Sequence, residues 1–168
     1  MSVWLNWIMG LMVMKSISCI LLVCLLSLLA YTDETQEQKV ERLIKKLQDE
    51  DSSVRVNAAW ALGEIGAVDA VPALIQALQD GSRGIRASAA GVLGQIGAGA
   101  VDASPALIKT LQNPEVRWHA EGALTKIGIG AVPLLIQALQ DPEVRQYATE
   151  VLARIGEDAR DAVPALIQ

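Results

Sequence analysis

The stretch PEVRQYATEVLARIG, residues 142–156, is one of four copies of the same pattern. The others are SSVRVNAAWALGEIG from Ser52, RGIRASAAGVLGQIG from Arg83 and PEVRWHAEGALTKIG from Pro114. Arg55, Arg86, Arg117 and Arg145 form one column, spaced 31, 31 and 28 residues apart. Ile-Gly closes each copy at 65–66, 96–97, 127–128 and 155–156. Self-similarity at such a period marks units that stack on one another to bury a shared core. Val54, Ala58, Ala61, Leu62 and Ile65 lie on one face of a 3.6-residue period, so each copy reads as a helix. Ile85, Val116 and Val144 open the same stripe in the later copies, and Ile96, Ile127 and Ile155 close it. Asp51, Ser82, Asn113 and Asp141, each four residues before an arginine, are placed to cap the first turn. Pro114 and Pro142 would then stand at the first helical position, and the closing glycine would end the helix in a left-handed conformation.

A second helix follows each copy: DAVPALIQALQD from Asp69, DASPALIKTLQN from Asp102, GAVPLLIQALQD from Gly130 and DAVPALIQ from Asp161. The first residue of each is placed as a cap, and Pro72, Pro105, Pro133 and Pro164 fall within the first turn, where a missing N–H is harmless. Leu74, Ile75 and Leu78 form the apolar stripe, repeated as Leu107, Ile108, Leu111 and Leu135, Ile136, Leu139. Val40, Leu43, Ile44 and Leu47 give a lone matching helix at 35–48. The expected domain is therefore 33–168, with repeats at 51–80, 82–112, 113–140 and 141–168. The chain ends at Gln168, a turn short of the earlier copies, and no polar repeat covers Val163, Leu166 and Ile167. A truncated gene or a docked end is expected there.

The pattern D-P-x-V-R-x-x-A-x-x-A-L-x-x-I-G followed by A-V-P-x-L-I-x-x-L is clearest at residues 141–155 and 131–139. It resembles the short HEAT-like repeats of the phycobilisome lyase family, across the whole of 33–168. The tetratricopeptide and ankyrin signatures are absent. The resemblance implies an all-α fold, a right-handed solenoid of two-helix repeats. It is specific for the repeat and carries little information about activity.

Residues 14–31, MKSISCILLVCLLSLLAY, differ in kind from the repeats. The apolar run at 17–31 falls short of the roughly 20 residues that span a bilayer, and extending it upstream would bury Lys15. A basic start, an apolar stretch and small residues near its end fit a secretory signal better. Met14 reads as a better start than Met1, although Leu28 two residues before Ala30 makes the cleavage point weak. Residues 1–31 are thus expected to be a signal peptide or, if uncleaved, an N-terminal membrane anchor. That places the body in a bacterial periplasm or cell envelope.

Beyond Lys15 the charges are 13 positive against 19 negative. An acidic body without a basic cluster is unsuited to nucleic acid, where binding rests on Lys and Arg, or to anionic lipid. Both cysteines, Cys19 and Cys24, lie in the apolar stretch. The body therefore has no disulfide frame, thiol nucleophile or thiolate metal site. Its one histidine is His119. Deoxyhypusine hydroxylase, built of similar repeats, holds two irons with several His-Glu pairs, and here only residues 118–121, WHAE, come near. No catalytic, cofactor or metal residues are assigned. The arginine column, Arg55, Arg86, Arg117 and Arg145, lies at the edge of the apolar stripe near acidic or amide caps and reads as a structural ladder.

Interaction surfaces are sought in the variable columns. Trp60 falls nearly opposite the core, Trp118 well off it, and His119 and Tyr147 at the flank; outward aromatics mark binding surfaces. On the second helices Gln76, Lys109, Leu134 and Gln137 lie off the stripe, and the resemblance implies that this row lines the concave face. The expected function is a non-catalytic protein-binding scaffold, exported or anchored, with another protein as partner and no cofactor. The resemblance also implies an alternative: a phycobilin lyase, or its assisting subunit, acting on a phycobiliprotein.

Overall fold

Alanine and leucine at fixed positions build the same two-helix unit in each of the first three repeats. In a computed structural model of the protein, the described residues are 34–156 and 159–160. Their α-helices are α1 (Gln36–Lys46), α2 (Ser52–Ile65), α3 (Val71–Ala77), α4 (Arg83–Ile96), α5 (Ser104–Thr110), α6 (Arg117–Ile127), α7 (Val132–Ala138) and α8 (Arg145–Ile155). Short 3-10 turns join each long helix to its short partner at Val68–Ala70, Gly97–Ala103 and Gly128–Ala131. The apolar segment 1–31 and the end at 161–168 lie outside the described residues, so the signal, the anchor and the uncovered end are not described. Among the described residues no helix is long and apolar enough to cross a membrane.

The chain divides into two units, Met1–Lys39 and Val40–Gln168. Within the first, Thr35 and Gln38 form a reciprocal capping box at the start of α1. The Gln38 N–H donates to Thr35 Oγ1 at 3.3 Å, and the Thr35 N–H donates to Gln38 Oε1 at 3.2 Å. The solenoid is the second unit.

In the solenoid, small residues let the long helices approach closely while leucines fill the space behind them. Ala58, Ala59, Ala89, Ala90, Ala120 and Ala148 are buried on the long helices, and Leu62, Leu93, Leu124 and Leu152 form the column beneath. From the short helices Leu74, Leu107, Leu111 and Leu135 reach the same core. Each such leucine contributes about 1.5–3 kcal/mol by leaving water. At the α4–α6 contact a Cβ on Gly94 would lie 2.8 Å from the Ala123 Cα. The backbones meet there, and only glycine fits.

Helix ends depart in part from the sequence expectation. Asp51 caps α2, accepting from the Ser53 N–H at 2.7 Å. Ser82 precedes α4 but its side chain caps nothing; its own N–H donates to Asp80 Oδ1 at 2.8 Å. Helices α6 and α8 begin at the arginine rather than at Pro114 or Pro142. Asn113 and Asp141 instead accept from the N–H two residues on, at 3.0 and 2.9 Å, closing a tight turn before the helix. Asp69 and Asp102 lie inside the 3-10 turns, and the short helices start after Ala70 and Ala103 with no side-chain cap. All four closing glycines have positive φ. Gly66 alone is left-handed helical (φ 66, ψ 35); the others combine φ near 70 with ψ near −130, a region practically reserved for glycine.

Three substitutions test this packing. Leu124→Ala should cost about 2–5 kcal/mol in urea unfolding, because the cavity lies at a fully buried site. Gly94→Ala should cost about 1–3 kcal/mol by forcing α4 from α6, whereas Gly122→Ala, whose Cβ meets no atom within 4 Å, should stabilise by about 0.5–1 kcal/mol. Equal effects at the two glycines would refute the close contact.

Candidate protein-binding faces

The long helices pack flank to flank, α2 on α4 and α4 on α6. Clefts remain between the short helices. One of about 360 Å³ is lined by Ile44, Arg55, Gln76 and Asp80, among others; the next, about 490 Å³, by Asp80, Arg86, Lys109 and Thr110. Gln76 and Lys109 line these clefts; with Leu134 and Gln137 they sit on the short-helix layer, Leu134 half-buried and the other three exposed.

The arginines hold the layers together. Arg55 Nη1 donates to the Asp49 and Glu50 carbonyls at 2.7 and 2.9 Å, and Arg86 Nη1 donates to those of Asp80 and Gly81 at 2.8 and 3.0 Å. Arg117 Nε donates to the Leu111 carbonyl at 2.8 Å and Arg145 Nε to that of Leu139 at 2.7 Å. Each arginine thus satisfies carbonyls left open at or just beyond the end of the preceding short helix. Two reach further. Arg55 Nη2 donates to Asp80 Oδ1 at 3.2 Å, with its Nε 3.1 Å from Oδ2, and Arg86 Nη2 pairs with Glu115 Oε2. The Arg117 guanidinium also lies 3.9 Å over the Tyr147 ring, a cation–π contact between repeats.

The structure places the predicted tryptophans on alternate long helices, α2 and α6, with α4 between them. Trp60 on α2 is 49% exposed and Trp118 on α6 is 69% exposed. Gly91 on α4 and Gly122 on α6 occupy the position that Trp60 holds on α2, and a Cβ on Gly91 would lie 4.0 Å from Trp60 Cη2. His119 stands against Trp118, ring centres 4.8 Å apart and nearly edge-on; its Nδ1 is buried without a hydrogen-bond partner. His119 and Tyr147 are half-buried. No nucleophile pairs with this imidazole, and among the described residues no group of three His, Cys, Asp or Glu could hold a metal ion.

Three features were missed in the sequence. Asp80 serves both the Arg55 pair and the following turn, a double role that its column shared with Asp49, Asn113 and Asp141 conceals. Glu121 replaces the buried alanine of earlier copies and meets Arg154 Nη1 of the next repeat at 3.1 Å; comparing it with Ala59 and Ala90 could have found it. Val68, Val101 and Ile129, each four residues before a proline, form an exposed apolar edge, 52%, 36% and 68% exposed. Val68 and Val101 lie against Gly99 and Gly130 of the next repeat, where a Cβ would come within 2.9 and 2.7 Å.

Asp80→Ala should destabilise by about 1–2 kcal/mol in urea melts, since it removes a part-buried pair and a backbone acceptor together. Glu115→Ala, whose carboxylate is largely exposed, should cost under about 1 kcal/mol. The reverse order would dismiss Asp80 as a link between repeats.

Comparison with known proteins agrees with this architecture. No curated protein matches the chain. Among solved structures, it is 31% identical to a chain of the complex of CpcE and CpcF of phycocyanin lyase from Nostoc sp. PCC7120, TM-score 0.56, covering 81% of this chain and 59% of that one. Two engineered proteins are each 28% identical. One has TM-score 0.56, over 76% of this chain and 66% of its own; the other 0.54, over 77% and 40%. The chain spans less than two thirds of the length of each of these structures. The HEAT repeat family matches residues 40–125 and 104–168, and the chain belongs to that family.

Proposed function

We propose that the chain is a non-catalytic scaffold that binds another protein through the exposed face of its long helices, and that it works outside the cytoplasm, exported or anchored by residues 1–31. The observation that carries the binding reading is the pair of exposed tryptophans, Trp60 and Trp118, on one face. Large aromatics left in water are costly and are enriched where partners bind. A stacked-repeat framework supports the same reading, because it offers a long surface.

A photo-crosslinker placed at Trp118 in the native host should give a discrete adduct, and one at Gln137 should not. Adducts from Gln137 alone would move the site to the short helices; adducts from neither would end the scaffold reading. The intact mass of the protein from each cell fraction tests the location. A mature species beginning near Tyr31 in an extracytoplasmic fraction supports export, and a full-length membrane species supports the anchor. A full-length cytoplasmic species would overturn both.

The likeness to a chain of the phycocyanin lyase complex favours a second reading, a phycobilin lyase or its assisting subunit. Mixing the purified chain with a phycobiliprotein and free bilin should then change the bilin absorbance. An unchanged spectrum, with and without a partner subunit, rejects it.

A further inference from the structure

The two clefts between the short helices are copies of one another, and the second has changed its charge. The first sets Asp49 and Arg55 with Ala73, Gln76, Ala77 and Asp80; the second sets Asp80 and Arg86 with Ala106, Lys109, Thr110 and Asn113. The segment that ends α3 reads QALQD at 76–80, and the one that ends α7 reads QALQD at 137–141. The one that ends α5 reads KTLQN at 109–113. Its three departures, Lys109, Thr110 and Asn113, all line the second cleft, whereas the unchanged Leu111 and Gln112 do not.

These changes remove a carboxylate and add a cation. In the first cleft Asp80 covers one edge of the Arg55 guanidinium, its Oδ1 3.2 Å from Nη2 and its Oδ2 3.1 Å from Nε. Arg86 lies as Arg55 does, with Nη1 turned onto two carbonyls, but Asn113 stands where Asp80 stood. Arg86 Nε is buried without a hydrogen-bond partner. Arg117 and Arg145 place the same atom on the Leu111 and Leu139 carbonyls. Glu115 reaches Arg86 through Nη2, from a side chain 54% exposed, and leaves Nε open. A buried donor left unpaired is costly, more so on a cation.

The neighbouring groups suit the same ligand. Asn113 Oδ1 accepts from the Glu115 N–H at 3.0 Å, so its NH2 end is the one left to donate. Lys109 is exposed and pairs with no acid among the described residues. Thr110 gives its proton to the Ala106 carbonyl at 2.8 Å. Asp80, the acid among the described lining residues, is already held by Arg55 and by the Ser82 N–H.

We propose that the cleft between α3 and α5 binds a small organic carboxylate, held by Arg86 Nε, the Lys109 ammonium and the Asn113 amide. The first cleft supplies the precedent, since there a carboxylate sits on the same edge of Arg55. Its volume of about 490 Å³ falls in the range of small-molecule sites, roughly 300–1,000 Å³, and Leu78 and Ala106 offer apolar wall to a short carbon chain. The site does not involve Trp60 or Trp118; it goes beyond the scaffold reading without depending on it.

Succinate is the probe. Saturation-transfer NMR of succinate with the full-length protein should show saturable binding with a Kd of about 1 mM, a strength within reach of so small a ligand. Lys109→Gln and Asn113→Asp each restore the residue that the α3 and α7 segments carry, so neither should disturb the fold. The first should weaken binding about tenfold, the scale of a lost charge-assisted contact. The second should weaken it at least as much, because an acid there covers the Arg86 edge, and should raise the urea midpoint. Absence of saturable binding, or binding that ignores both substitutions, would overturn the site. Sulfate that displaces succinate at equal concentration would overturn the carboxylate assignment. A hexaglutamate peptide that binds where succinate does not would replace the small ligand with a protein contact. None of these results bears on a crosslink at Trp118, so the scaffold reading stands or falls separately.

Discussion

Everything in the solenoid follows from how closely the long helices can approach. Gly94 and Ala123 allow two backbones to touch where any larger side chain would hold them apart. Alanines at Ala58, Ala89, Ala120 and Ala148 do the same work less severely. The short-helix layer has buried alanines of its own, Ala70, Ala103 and Ala131 at the turns and Ala77 and Ala138 within α3 and α7. Close approach at one column thereby decides which side of each long helix is buried and leaves Trp60 and Trp118 on the other.

The arginine column answers a different constraint. Helices α3, α5 and α7 have seven residues each, so unsatisfied terminal groups form a large share of their backbone. A guanidinium from the following long helix can reach those carbonyls and still extend to an acid. Arg55 and Arg86 do both, whereas Arg117 turns its charge onto Tyr147 and Arg145 stays exposed. One column therefore serves one backbone role in four copies and three different side-chain roles.

Much of the helical fold was legible because periodicity of apolar residues fixes helix faces directly. Leu62, Leu74, Leu93, Leu107, Leu124 and Leu135 occupy the interior as their spacing requires. Helix starts were harder to read, since Asn113 and Asp141 can close a turn as well as cap a helix, and only the tertiary path chooses between them. The close approach at Gly94 was not legible from a single repeat, because it depends on Ala123 of the next long helix. The aromatic residues were identified, but the approach of Trp60 to the Gly91 position required the neighbouring helix to be placed.

Stability and binding make opposite demands on the exposed side of the long helices. Burial of alanine and leucine alone would favour a polar residue in place of Trp118, which stands largely in water. Trp118, the buried Glu121 and the exposed Lys126 all lie on α6, whereas the glycine at 122 recurs at Gly91 on α4. Departures from the repeat concentrated on one helix are hard to ascribe to packing, because α4 solves the same packing problem with Ala87, Ala90 and Gln95. They are better understood as the places where a common framework has been adapted to what it holds.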